Sequence, residues 1–262
     1  MRLAHRTVGP GQPVFLVAEL SANHAQSLTK AHRLIDMAAK AGADAIKIQL
    51  YRPDELAARR GGGEAPAPWS GSLLDLYRQG ATPWEWTDEL FAHARELGLV
   101  AFGSAFSVEA VEYLKAHCSA AIKISAYESE DDEICAAAQH SGLPVIASLS
   151  GYGTGLRCSD NLALLHCVSR YPSPCASMLL SHGLRRVRFM VEVCGLSDHS
   201  VCITTAQLAV ALGASIIEVH VMLDDSEYDS PPLDHRHSWR PGGFVCLVAG
   251  IRHAEETLYG SR

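Results

Sequence analysis

M-V-E-V-C-G-L-S-D-H-S, residues 190–200, is an apolar run that ends on three polar residues, Ser197, Asp198 and His199, ahead of a helix-like stretch from Val201 to Leu212. Such an ending is either a turn or one wall of a site. The choice depends on whether the other apolar runs of the chain end the same way.

Those runs alternate with amphipathic stretches. Strand-like segments occur at 14–20, 43–50, 99–105, 120–126, 144–150, 162–168, 190–197 and 214–221. Helical spacing of apolar residues predicts helices at 28–41, closed by Gly42, at 82–97, and near 107–117, 130–141 and 243–258. Thr82 suits an N-cap and Pro83 a first turn. A long Gly/Pro-rich connection, including G-G-G-E-A-P-A-P (61–68), lies between, and connections of that length are more often functional than idle. Eight strands, most followed by a helix, predict a parallel α/β fold. The length of 262 residues suits a (β/α)8 TIM barrel of about 250 residues, read as a single domain over 1–262. The helix after strand five is expected to be truncated, because G-Y-G-T-G-L-R-C-S-D-N (151–161) is too rich in glycine. A doubly wound open sheet is the alternative, weakened by the lack of G-x-G-x-x-G after the first strand.

Composition narrows the function. The formal net charge of -7 argues against nucleic-acid binding through bulk positive charge. No apolar run is long enough to cross a bilayer and the N-terminus does not read as a signal peptide. Eight cysteines occur without a C-x-x-C pair, which predicts buried, reduced thiols in a cytoplasmic protein and no cysteine metal site.

In a barrel of this type the site lies at the C-terminal strand ends. These present Glu19, Lys47 and Gln49, Ser104, Lys123 and Glu128, Ser148, His166 with Ser169 and Tyr171, Ser197 with Asp198 and His199, and Glu218 with His220. Lysines inside apolar strands are costly unless an anion accompanies them. Lys47 in A-I-K-I-Q and Lys123 in A-I-K-I-S occupy matching positions, and with Ser104, Ser148 and Ser197 they predict a pocket for phosphate or carboxylate. The competing explanation is a pair of structural lysines salt-bridged to a core carboxylate such as Glu19. His199 and His220 end adjacent strands and can share a divalent metal with positions left open. The competing explanation there is one core and one loop histidine. His235 and His237 in D-H-R-H-S read by default as exposed loop histidines.

In this order the residues resemble the N-acetylneuraminate (sialic acid) synthase family. The resemblance rests on V-A-E-L-S-A-N-H (17–24), A-G-A-D-A-I-K-I-Q (41–49), T-P-W-E-W (82–86), L-L-H-C-V-S-R-Y-P-S-P (164–174), G-L-S-D-H-S (195–200), A-L-G-A-S-I-I-E-V-H (211–220) and P-P-L-D-H (231–235). It implies a metal-dependent condensation of phosphoenolpyruvate with a sugar aldehyde, giving a 2-keto-3-deoxy sugar acid and phosphate. It implies a divalent ion on His199 and His220, manganese first, magnesium or cobalt as substitutes. It implies phosphoenolpyruvate on Lys47, Ser104, Lys123, Ser148 and Ser197, catalytic carboxylates at Glu19 and Asp234, and a sugar site at Gln49, Glu128, Ser169 and Tyr171.

The departures concern the sugar. Ser21 and Gln26 stand where the family pattern has glycine, Tyr127 and Val219 replace family residues, and Ser169 replaces an asparagine. The chain also stops where the family's antifreeze-like domain would begin. These features imply a retained reaction with a changed acceptor, and leave a homodimer through the barrels open. A metal-dependent aldolase on pyruvate or a sugar phosphate, and a non-catalytic barrel binding an anionic sugar or a protein partner, are the rival assignments.

Overall fold

The computed structural model describes residues 1–150, 154–175 and 177–260, with only the backbone at 177–181. Eight parallel strands follow one another around a ring: β1 (Phe15–Glu19), β2 (Ala45–Leu50), β3 (Val100–Ala105), β4 (Ile122–Ile124), β5 (Val145–Leu149), β6 (Leu162–Cys167), β7 (Val193–Asp198) and β8 (Ile216–Val221). The ring closes because β8 pairs with β1 on one side and β7 on the other. The fold is a TIM barrel. Its outer helices are α1 (Leu28–Ala41), α2 (Thr87–Glu96), α3 (Val108–Ala116), α4 (Asp132–His140), α5 (Ser177–Met190), α6 (Ile203–Ala211) and α7 (Pro241–Tyr259).

Alternation along each strand divides the core in two. Outward residues such as Leu16, Ile46, Ile48 and Leu164 pack beneath the helices. Inward residues Phe15, Val17, Ala45, Val100, Phe102, Ile146, Leu165, Val193 and Ile216 fill the lower barrel. A short hairpin (Arg2–Leu3 with Arg6–Thr7) adds Leu3 and Val8 to that cluster. Two residues further along, the same inward face turns polar, so the apolar plug becomes the floor of the site. Gly195 lets β7 approach β8 here, since a Cβ would lie 2.1 Å from the Ile216 carbonyl oxygen.

Helix α1 has the predicted bounds, with the Ser27 side chain accepting from Lys30 N–H and Gly42 closing it at φ +94°. Other details differ. Met190 ends α5, a helix not foreseen, and β7 starts only at Val193. Thr82 does not cap a helix; its hydroxyl meets His24 Nε2 at 3.3 Å, and a 3-10 turn (Trp84–Trp86) precedes α2. The long connection after β2 holds two short helices, Pro53–Arg59 and Leu73–Gly80. No helix occupies 154–161 between β5 and β6, whereas 151–153 of the expected truncation lie outside the described residues. The cysteines are only partly as expected: Cys135, Cys167 and Cys194 are buried, Cys202 is half-buried, and Cys118, Cys158, Cys175 and Cys246 are exposed. Among the described residues no helix is long and apolar enough to cross a membrane.

Candidate active site

The polar floor is set by strand register. Glu19 lies opposite Lys47, Ser104 opposite Lys123, and Glu218 opposite Ser197. Lys47 Nζ sits 2.6 Å from Glu19, 3.1 Å from Glu218 and 3.1 Å from Ser104 Oγ. Lys123 Nζ donates to Ser148 Oγ at 2.7 Å and to the Ile124 carbonyl at 2.9 Å, with Glu218 at 3.9 Å. Ser197 Oγ donates to Glu218 at 2.9 Å. All five residues predicted to hold an anion therefore meet around Glu218, a carboxylate given no role above.

Burial disfavours every charge here, and neighbours decide which survive. Burial alone would raise Glu218, but Lys123, Lys47 and a hydrogen bond from Ser197 outweigh it and hold the carboxyl at about 2. Lys47 is desolvated too, yet Glu19 and Glu218 keep its pKa above the ordinary value. Glu19, fully buried, is pushed up by desolvation despite Lys47, and further by Glu218. Two carboxyls thus share the Lys47 ammonium, and their pKa values move in opposite directions, Glu19 up and Glu218 down. Lys123 falls to about 8 through burial, only partly offset by Glu218.

Above the floor stands a tier of imidazoles. The ring centroids of His199 and His220 are 5.1 Å apart. His237 joins them, at 4.6 Å from His220 and 5.8 Å from His199. This corrects the expectation of an exposed loop residue: His237 is 2% exposed. The cause is a two-residue strand, Ser238–Trp239, that pairs parallel to β8 with Ser238 opposite His220. Burial lowers the pKa of His199 to about 3, that of His220 well below the usual value and that of His237 as well, so all three are neutral. Asp234 accepts hydrogen bonds from Ser21 Oγ and from Ala22 N–H.

A cavity of about 1000 Å³ opens over both tiers. Gln49, Ser169 and Tyr171 line it, as does Asp234. Tyr171 lies 4.4 Å from the His199 ring and 5.6 Å from Trp69, which forms an outer aromatic wall. Glu128 is set apart. Arg60 and Ser125 hydrogen-bond its carboxylate, and it lines a smaller side recess of about 300 Å³ with Arg59 and Tyr127. Glu19 lies beneath Lys47 rather than on the cavity wall. Residues 34–262 match the NeuB family.

The chain belongs to the NeuB family. It is 37% identical over 270 residues to the pseudaminic acid synthase of Campylobacter jejuni, covering 94% of this chain and 75% of that one. It is 32% identical over 270 residues to the spore coat polysaccharide biosynthesis protein SpsE of Bacillus subtilis, covering 98% and 72%. The crystal structure of N-acetylneuraminic acid synthetase from Leptospira borgpetersenii superposes with a TM-score of 0.85 at 27% identity, over all of this chain and 90% of that one. As a NeuB member the chain is an enzyme of this sugar acid synthase class.

The upper tier of this NeuB chain fits a divalent metal by its donor set. Two neutral imidazoles, His220 and His237, and the Asp234 carboxylate come together with His199 alongside, and the buried Nδ1 atoms of His220 and His237 have no hydrogen-bond partner. Donor atoms of His220, Asp234 and His237 lie within 4.8 Å of one another. Besides His237, two contributors escaped the sequence reading for different reasons. Glu218 was visible at a strand end, and only its position between two lysines gives it a part. Trp69 belongs to the Gly/Pro-rich connection and is fixed by a bond from its Nε1 to the Leu233 carbonyl at 3.0 Å.

Proposed function

We propose that this chain condenses phosphoenolpyruvate with a sugar aldehyde, giving a 2-keto-3-deoxy sugar acid and phosphate. The observation that carries the proposal is the floor itself: two lysines and three serine hydroxyls from five strands converge at the bottom of one cavity, beneath neutral histidines. That donor set suits a small ligand bearing both phosphate and carboxylate. Lys123 and Ser148 offer one anion-binding pair, and Lys47 and Ser104 another.

The residues supply the chemistry as follows. Carbon 3 of the enol forms the new bond to the aldehyde carbon, whose oxygen gains a proton; water adds at carbon 2 and gives up a proton, and the bond from carbon 2 to the phosphate oxygen breaks to release phosphate. Glu19, a carboxyl raised by burial and hydrogen-bonded to Ser21 N–H at 2.6 Å, would take part in moving that proton through Lys47, which lines the cavity. The lysines and serines offset the charge of the departing phosphate. A divalent metal on His199 and His220 would supply Lewis acidity toward the aldehyde oxygen. Asp234 would orient the acceptor beside it, and Gln49, Ser169 and Tyr171 would contact its hydroxyl groups, with Trp69 and Tyr171 as an apolar face. Glu128 would act on the acceptor only through Arg60.

The identity to a pseudaminic acid synthase favours an acceptor of that class over N-acetylmannosamine. We place the reaction in the cytoplasm, where phosphoenolpyruvate is available. The test is phosphate release from phosphoenolpyruvate with Mn2+ across a panel of sugar aldehydes that includes the acceptors of pseudaminic and sialic acid synthases. Release that requires both metal and one aldehyde supports the proposal and names the acceptor. Binding of neither metal nor phosphoenolpyruvate would refute it.

A further inference from the structure

The proposed function places a metal on two histidines; the structure brings a third to the same point. We infer that His237 is a further metal ligand, and that with it the site prefers nitrogen-seeking ions such as Co2+, Fe2+ or Zn2+ over Mg2+ and Mn2+. The inference rests on the metal-dependent reading above and concerns which ion that site retains.

Three observations support it. The first is placement. His199 follows β7, His220 lies in β8, and parallel pairing of Ser238 with His220 brings His237 alongside, so three segments converge. Donor atoms of His220, His237 and Asp234 lie within 4.8 Å of one another, close enough to share one ion, and the His199 ring stands 5.1 Å from that of His220. The second is unmet hydrogen bonding. His237 Nδ1 is buried without a partner, and its Nε2 stands 3.7 Å from Asp234, beyond hydrogen-bond range. Leaving that nitrogen unmet costs about 1–3 kcal/mol, which a bound ion would recover. The third is tautomer control. His199 Nδ1 faces the Val168 carbonyl at 3.3 Å. Donation there leaves Nε2 as the free lone pair, the usual arrangement behind a metal-bound imidazole.

The ion preference follows from the donor types. Imidazole suits zinc, iron, copper and nickel, whereas magnesium and manganese are better served by carboxylate, carbonyl and water. Every nitrogen or oxygen site binds Co2+ more tightly than Mn2+ to some degree. The diagnostic quantity is therefore how far removal of His237 narrows that ratio.

The experiment uses the full chain stripped with chelator, titrated with Co2+ and separately with Mn2+ by calorimetry, with visible absorption of the Co2+ form as a second readout. His237→Ala and the bulkier His237→Gln are compared with the parent, and the thermal midpoint of each metal-free protein checks folding. We expect both variants to lose about tenfold or more in Co2+ affinity, to lose less toward Mn2+, and to alter the Co2+ absorption bands. Unchanged Co2+ affinity and spectrum in a folded variant, or equal losses toward both ions, would overturn the inference. If phosphate release from phosphoenolpyruvate still required metal in that case, the inference alone would fall. If the parent chain bound no divalent ion, the metal-dependent function would fall with it.

Discussion

Lys123 carries a charge that depends on what lies beside it. The side chain is 1% exposed, and burial brings its pKa to about 8 even with Glu218 at 3.9 Å. A bound phosphate next to Nζ restores the charged form, so anion binding and protonation are linked. Without ligand, the protonated fraction falls about tenfold per pH unit above that pKa, while the phosphate group, with a second pKa near 6, is already ionised. Affinity for phosphoenolpyruvate should be level from about pH 7 to 8 and about tenfold weaker at pH 9, a difference of ~1.4 kcal/mol. The stability effect of the free protein has the opposite sense. Its folded pKa lies below the unfolded value of 10.5, so the unfolded chain binds more protons in the window between them. Stability therefore rises with pH from about 8 to about 10.5. Calorimetric titration with phosphoenolpyruvate at pH 7.5 to 9.5, in two buffers of different ionisation enthalpy, measures both affinity and proton uptake. Uptake should approach one proton near pH 9. Lys123→Met should bind weakly at every pH and show no slope. A flat affinity without proton uptake in the parent chain, or the same slope in Lys123→Met, would refute the reasoning.

Lys47→Met removes the partner of two buried carboxyls and should cost about 3–5 kcal/mol in urea unfolding; the deficit should shrink as pH falls and the carboxyls take up protons. Gly195→Ala places a Cβ against the Ile216 carbonyl at 2.1 Å and should open the β7–β8 seam, giving little folded protein on expression and a lowered thermal midpoint in what is recovered. Ala25 holds φ +47° with no side-chain bond to lose, so Ala25→Gly should stabilise by about 1 kcal/mol. Gln26→Gly should gain less, because Gln26 at φ +55° also donates to the Gln79 and Ala81 carbonyls at 2.9 and 2.7 Å.

The barrel and the floor of its site were legible because both follow from period-two alternation. A lysine flanked by isoleucines in a strand states its own face, and Lys47 and Lys123 point inward as their setting in A-I-K-I required. The upper tier was less legible because it depends on pairings that leave no periodic trace. Two residues, Ser238 and Trp239, make the strand that buries His237, and no pattern of that length can be read. Thr82 had the chemistry of a cap, but His24 across the fold took its hydroxyl. Glu128 had the position of a sugar ligand, but Arg60, just after the short helix Pro53–Arg59 in the connection that follows β2, took its carboxylate. In each case a partner distant in sequence overrode a local signal.

The two tiers are also linked by charge. The floor holds Lys47, a Lys123 whose pKa burial brings to about 8, an ionised Glu218 and a Glu19 whose pKa burial raises, which leaves no more than about one net positive charge. Such a floor keeps its lysines at moderate cost while empty, but it cannot by itself neutralise a ligand carrying both phosphate and carboxylate. Two additions meet that need: proton uptake by Lys123 where the pH exceeds about 8, and positive charge from the upper tier. Three neutral histidines cannot supply the latter as imidazolium, because burial holds them deprotonated. Neutral imidazoles are instead the form that accepts a cation. The electrostatics of the floor and the chemistry of the upper tier thus call for the same occupant pair, an anion below and a divalent cation above, each improving the site for the other.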